Sequence, residues 1–295
     1  MQIEAYSPEA AAEAVAFAAR LNNDPAHHVA YWGLTEAEIA DSLAIFVPPP
    51  AESVLLAREN GKLVGLIAAD QDPELGRAWI HGPFVEHPDW DAVAEALHAA
   101  MISRIHPDVY EHELYIDQRN ERAVAFAERQ GYELFSDAAI LCFEREQLAG
   151  LPALDLPELG PEQHESFIKL HADSFTRPHF NGQQIIEKQG EHDKVFVVAE
   201  GAEVLGYTYV KVELEHGEGY TDFVGVAESA QRRGVGRQLL TASLRWIFSF
   251  PEVRRTCLTV RTENEPAVKL YEATGFACER VGRAFRKLVR QPVAS

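Results

Sequence analysis

The chain has 295 residues, 46% of them hydrophobic and 25% charged, which is length for about two domains with real cores and excludes a disordered polypeptide. Net charge is −19 and lopsided: residues 1–150 carry 9 Lys and Arg against 26 Asp and Glu, residues 151–295 carry 18 against 20. Nucleic acid is excluded as the expected partner, because phosphate binding needs clustered cations.

No apolar run is long enough to span a bilayer, so no membrane partner is expected. Met1-Gln2-Ile3-Glu4 lacks the basic and apolar regions of a signal peptide. Cys142, Cys257 and Cys278 are odd in number and scattered, and read as buried free thiols. A cytoplasmic location is expected.

In chain order, Ile3 to Tyr6 reads as a strand, and Ser7-Pro8-Glu9 starts an Ala-rich helix running to about Arg20. Thr35 with Glu38 is a capping box. Pro48-Pro49-Pro50 is a loop. Ser53 to Ala57 and Leu63 to Ala69 flank Asn60-Gly61 as a hairpin. Trp79 to Val85 is a strand, Ala92 to Ile105 a helix, Glu113 to Ile116 a strand, and Asn120 to Gln130 a helix closed by Gly131. Leu134 to Phe143 supplies closing strands.

Leu148 to Pro161 is a Pro-containing linker, with a short strand expected at Leu154 to Leu156. The plan then repeats: Val195 to Ala199, a Gly201-Ala202 turn, Val204 to Val210, and later Leu258 to Arg261 matching Leu114 to Asp117. Asn264 to Phe276 matches Asn120 to Tyr132, with Asn, Glu, Ala, Val, Glu and Gly at identical spacing. The period is too long for a solenoid, so two copies of one α/β domain are expected, at 1–150 and 151–295.

The stretch Val224 to Leu240 passes from a strand with Val224 and Val226 on one face, through a turn with two glycines, into a helix with Leu239, Leu240, Leu244 and Ile247 on its apolar face. Free N–H groups at such a helix start, with its dipole, bind anions. Gly234 and Gly236 let a phosphate approach the backbone, and Arg232, Arg233 and Arg237 add charge. No metal motif is present: there is neither His-Glu-x-x-His nor Cys-x-x-Cys.

Gln231-x-x-Gly234-x-Gly236, followed by Asn264-x-x-Ala267-x-x-Leu270-Tyr271-x-x-x-Gly275-Phe276, resembles the GNAT superfamily of acyl-CoA-dependent N-acyltransferases. The tandem arrangement is similar to the mycothiol synthases, and the motifs also look like ribosomal-protein N-terminal acetyltransferases. The resemblance implies an α/β (α+β) fold of two GNAT domains, each a mixed, mostly antiparallel twisted sheet flanked by helices. It implies acetyl-CoA as acyl donor and an amine as acceptor, attacking the thioester directly in a ternary complex. Gln231, Arg232, Arg233, Gly234, Val235, Gly236 and Arg237 would cradle the pyrophosphate. Val224, Val226 and Asn264 would hold the pantetheine arm, and Tyr271 would protonate the departing thiolate. The acceptor amine has to lose a proton before attack. Asp222, placed on the face of Val224 and Val226 by period two, is the candidate base, with Glu218 and His216 as alternatives.

The first half departs from this pattern. Val93 and Glu95 align about where Gly234 and Gly236 stand, Asp89, Asp91 and Glu95 replace the arginines, and Ala127 replaces Tyr271. Carboxylates there repel a pyrophosphate. The first domain therefore reads as a degenerate, non-catalytic copy. A small-molecule acceptor is favoured; the alternatives are a protein N-terminus as acceptor, or a non-catalytic CoA-binding scaffold. The acceptor loops are expected at Ser174 to Asn181 and Leu214 to Tyr220.

Overall fold

In a computed structural model, residues 1–176 and 178–289 are described. The chain forms two compact units, one of residues 1–138 with the segment from Val281 on, the other of residues 139–280.

The first unit runs β1 (Gln2–Ala5), α1 (Ala11–Asn22), α2 (Glu36–Ala44), a one-turn α3 (Pro50–Ser53), β2 (Val54–Glu59), β3 (Lys62–Asp72), β4 (Arg77–Val85), α4 (Trp90–Ile102), β5 (Glu111–Asp117) and α5 (Glu121–Arg129). Local chemistry sets these boundaries. The Thr35 hydroxyl accepts from the Glu38 amide at 3.2 Å and the Glu38 carboxylate accepts from the Thr35 amide at 2.8 Å, the expected capping box. Ser7 caps nothing with its side chain, and a 3₁₀ turn at Pro8–Ala10 precedes α1. β1 to β4 pair antiparallel, and β4 runs parallel to β5. One face of the sheet packs Leu55, Ile67, Ile80 and Leu114 against α4 and α5, the other packs Leu56, Leu66 and Phe84 against α1 and α2.

The second unit repeats the order: α6 (His164–Ser174), α7 (Gly182–Lys188), β7 (Asp193–Glu200), β8 (Glu203–Glu213), β9 (Glu218–Val226), α8 (Val235–Ile247), β10 (Arg255–Arg261) and α9 (Glu265–Thr274). β7, β8 and β9 are antiparallel, and β10 is parallel to β9. Phe167, Ile185, Tyr207, Tyr209 and Phe223 form the core under α6 and α7; Leu205, Val235 and Leu239 form the core under α8. The expected strand at 154–156 is absent; the chain there contributes one bridge, Glu158 to Phe196.

Each half closes with one long strand, β6 (Glu133–Glu144) and β11 (Ala277–Leu288), and the two are exchanged. In the first unit Gly282–Leu288 of β11 lies antiparallel to β5. In the second unit, residues from Ala139 on in β6 lie beside β10. Side chains explain the choice. Beside β5, Arg286 reaches the buried Glu113 carboxylate at 2.9 Å, and a Cβ at Gly282 would stand 2.2 Å from the Tyr115 ring. The matching positions of β6 are Cys142 and Ala138, which offer neither the charge nor the room. Beside β10, Cys142 meets Cys257. The compact units therefore do not follow the expected 1–150 and 151–295 division: 139–150 go with the second unit and 281–288 with the first.

The cysteine reading is also corrected. Cys142 and Cys257 form a disulfide, their Cα atoms 4.2 Å apart on neighbouring strands, and Cys278 is exposed. Sequence spacing hid a pairing made across 115 residues by the exchanged strand. No helix among the described residues is long and apolar enough to cross a membrane.

Candidate active site

β9 and β10 pair over only three positions, Arg255–Cys257 against Glu218–Tyr220. Past Cys257 they separate. β9 keeps its pairing to β8 as far as Val226 opposite Gly206, so its other edge is left open from Thr221 on. Open backbone at a strand edge pairs with any extended chain of amides. Val224 and Val226 lie on this segment with side chains packed toward Val235 and Leu239 of α8.

The strand ends in a turn that leaves a run of backbone N–H groups without acceptors among the described residues. Arg232 (φ 59°) and Gly234 (φ 83°) are left-handed, and successive N–H groups in such a turn converge on one point. Among the described residues the amides of Arg232 through Arg237 meet no acceptor; Gln238 is the first to find a carbonyl, that of Gly234 at 3.1 Å. Nothing lies within 4 Å of the Cβ position of Gly234, so the space above it is open. Gly236 serves packing: a Cβ there would stand 2.8 Å from the Leu270 side chain and 3.9 Å from that of Val226. This glycine thus brings the end of β9, the start of α8 and the middle of α9 together. Arg233 is exposed and loosely paired with Glu200 at 3.8 Å, and Gln231 reaches the Val226 carbonyl at 3.5 Å.

Tyr271 follows Leu270 on α9 and is buried, its ring edge-on to Phe276. Burial pushes its phenol up to about 12. Among the described residues its hydroxyl has no hydrogen-bond partner. Asn264 caps α9 by accepting from the Ala267 amide at 3.3 Å, which leaves its NH₂ group available.

Asp222 corrects the period-two argument. β8 and β9 slip between Tyr209–Phe223 and Val210–Thr221, so Asp222 is the extra residue of a β-bulge. A bulge re-aims side chains. Asp222 therefore faces α6 and α7 with Phe223, not α8 with Val224 and Val226. Its carboxylate is mostly buried and 3.8 Å from the His179 Nε2. Burial pushes the nearby Lys211 ammonium down, but Asp222, Glu213 and Asp193 outweigh this and raise it. Tyr209 donates to Asp193 at 2.6 Å and is pushed up by burial, by that bond and by the charges of Asp193 and Asp222. The alternatives are differently placed. Glu218 accepts from Tyr220 at 2.7 Å and faces Arg255 at 3.6 Å, where β9 and β10 are still joined. His216 lies in the turn before β9, farther still from the opening.

Of the expected acceptor loops, the one after α6 does reach this face. His179 stacks on Phe223 (centroids 4.9 Å apart, rings 22° apart), and the Phe180 carbonyl accepts from His171 Nε2 at 2.9 Å. The other His171 nitrogen accepts from the Tyr207 hydroxyl at 2.5 Å. Arg177, in this loop, lies outside the described residues.

The same place in the first unit is closed. β4 and β5 also separate after four pairs, but His28 to Ala30 lies against β5 there. Ala30 N donates to Tyr115 O at 2.8 Å, Asp117 N to His28 O at 3.1 Å, and the Asn120 amide to His28 O at 3.4 Å. Asn120 is the repeat counterpart of Asn264, so the chain's own backbone fills the slot in this unit. Trp32 then stacks on His81 and Phe84 at 5.2 and 5.5 Å. The helix start also lacks a cradle: Asp89 caps α4 and Asp91 pairs with Arg129. Gly65 meets Val93 and Leu97 as Gly206 meets Val235 and Leu239. Ala92 and Ala94 therefore stand where Gly234 and Gly236 do, one residue before the positions expected from sequence. Glu95 then matches Arg237.

Residues 164–276 match the model of the acetyltransferase (GNAT) family. The chain is 25% identical over 118 residues to a 5-NmdU N-acetyltransferase of Pseudomonas phage PaMx11, an alignment covering 39% of this chain and 81% of that protein. It is 31% identical over 91 residues to a mycothiol acetyltransferase of Streptomyces avermitilis, covering 31% of this chain and 29% of that one. Among solved structures, a tandem GNAT protein from the clavulanic acid biosynthesis pathway superposes with a TM-score of 0.63 at 17% identity, covering 98% of this chain and 99% of that chain.

Proposed function

Because residues 164–276 belong to the GNAT acetyltransferases, a family that uses acyl-CoA donors, we propose that the second unit moves the acetyl group of acetyl-CoA to a primary amine of a small molecule. One observation carries the assignment to this unit: six consecutive amides without acceptors among the described residues, Arg232 to Arg237, stand at the end of a strand edge that is open among those residues. The pyrophosphate sits over Gly234, held by those N–H groups and by Arg232, Arg233 and Arg237. The pantetheine amides pair with the backbone at Val224 and Val226 and with Asn264. The pairing of His28 to Ala30 with β5 at the equivalent place in the first unit supports this reading. In the first unit the slot is filled and the cradle is acidic, which supports a non-catalytic role.

The reaction balances on this chain's residues. The acceptor ammonium gives one proton toward Asp222, directly or through an intermediary. The free amine attacks the thioester carbonyl, the C–S bond breaks, and the sulfur leaves with a hydrogen bond, then a proton, from Tyr271. The amide nitrogen releases its surplus proton, which restores the phenol through solvent. The carboxylates Asp193 and Asp222 beside Phe175, Phe180 and Phe223 favour a cationic amine carrying apolar surface. Free CoA release across a panel of small amines and short peptides tests the reading: turnover of small amines is expected, and turnover of peptides alone overturns the acceptor class.

A further inference from the structure

We infer that His179 is a further catalytic residue, the group that takes the acceptor's proton, and that Asp222 is the residue positioning it. The inference rests on the acetyl-transfer reading above. Three contacts carry it. Phe223, the residue after Asp222 in the bulge, supports the His179 ring by stacking at 4.9 Å. Phe180 packs beside the ring at 4.6 Å. The Nε2 atom faces the Asp222 carboxylate at 3.8 Å, too long for a hydrogen bond here and short enough to become one with a small rotation.

The bulge is what makes this pair. Without the extra residue Asp222 would face α8, away from the loop that holds His179. With it, the carboxylate draws the imidazole N–H to Nε2 and leaves the Nδ1 lone pair toward the acceptor. Among the described residues Nδ1 has no partner, and the side chain is 58% exposed. Among the described residues, the other ionisable groups named on this face are occupied or carry the wrong charge. His171 of α6 is buried and bonded through both nitrogens. Tyr209 of β8 donates to Asp193 of β7, and Lys211 of β8 pairs with Glu213 at 3.0 Å. Lys188 of α7 lies over the Phe180 ring at 4.4 Å. In the step itself the amine N–H bond breaks, its pair stays on nitrogen, and the proton bonds to Nδ1, leaving an imidazolium beside Asp222.

The test compares two nucleophiles by CoA release from acetyl-CoA at pH 7. 2-Phenylethylamine is a cation there and needs a base; hydroxylamine is already neutral and does not. His179→Gln is expected to lower kcat/KM with 2-phenylethylamine by about 10²–10⁴-fold and to leave hydroxylamine within about threefold. Asp222→Asn is expected to lower the 2-phenylethylamine rate, and the double variant to cost no more than His179→Gln alone. Imidazole added to His179→Ala is expected to restore part of that rate. Equal loss with both nucleophiles means a structural role and overturns the inference. So does an unchanged His179→Gln enzyme alongside an impaired Asp222→Asn, which makes Asp222 the base. A wild-type chain that consumes neither nucleophile overturns the acetyl-transfer reading itself, and this inference with it.

Discussion

Replacing Tyr271 by Phe removes one oxygen that bonds to nothing among the described residues. Stability should therefore move by no more than about 0.5 kcal/mol, since no hydrogen bond to the described residues is lost. The rate should respond differently. A phenol held at about 12 is a far weaker acid than an ordinary thiol near ~8.5. Complete proton transfer from it to the thiolate freed by C–S cleavage is then uphill by about 5 kcal/mol. The hydroxyl instead donates to the sulfur as charge develops on it, a charge-assisted bond of about 1.5–3 kcal/mol. That converts to a loss of about 10- to 150-fold in kcat. Acetyl-CoA affinity should hold, because the phosphate cradle and the strand edge are untouched. The assay is CoA release at saturating acetyl-CoA with the best amine of the panel, beside a melting curve and a cofactor titration. Activity within twofold of wild type would show Tyr271 to be a core residue only. A fall in activity matched by a collapsed melting temperature would refute the argument that its hydroxyl is structurally idle.

Gly234→Asp should keep the fold, because Asp tolerates a left-handed φ and the Cβ meets open space, while weakening CoA binding at least about 100-fold by charge repulsion; calorimetry and circular dichroism separate the two. A fragment starting at residue 151 should fold poorly, since it loses Phe143, packed on Phe248 and Phe276, and Arg145, bonded to the carbonyls of Phe248, Phe250 and Val253. The Phe143 side chain alone is worth about 3–5 kcal/mol, so a cooperative melt equal to that of the full chain would contradict the exchanged-strand topology. Burial holds His81 near about 3, and burial followed by nearby positive charge holds His98 and His112 near about 4. Folded values below the unfolded ~6.5 mean that stability is full above that pH and is lost as pH falls toward the folded values, by about 1.4 kcal/mol per pH unit per imidazole. The slope of unfolding free energy between pH 6 and 4.5 should become shallower in His81→Phe, and an unchanged slope would count against its buried neutral state.

Much of the fold was legible because its signals are local. Asn60-Gly61, Thr35 with Glu38, and the repeated Asn–Ala–Gly helix each fix an element through its own residues. The glycine turn between β9 and α8 was legible for the same reason. The strand exchange was not, because it depends on which distant edge each strand satisfies: Arg286 for Glu113, Cys142 for Cys257. A hint stood in the repeat, where Cys257 and Glu113 occupy matching positions on β10 and β5 and call for different partners. The direction of Asp222 was misread because one inserted residue inverts a period-two pattern, and nothing in Thr221-Asp222-Phe223 announces a bulge. The filled slot of the first unit was equally hidden, since His28 to Ala30 meets β5 some 85 residues later in sequence.

The central claim is that the chain holds one acyl-CoA, on the amides of Arg232 to Arg237 and nowhere in the first unit. Isothermal titration of CoA into the full chain, repeated with Gly234→Asp, tests it most directly. The account predicts one site per chain in the wild type and no measurable binding in the variant. Two equivalent sites, or a single site that survives Gly234→Asp unchanged, would contradict it.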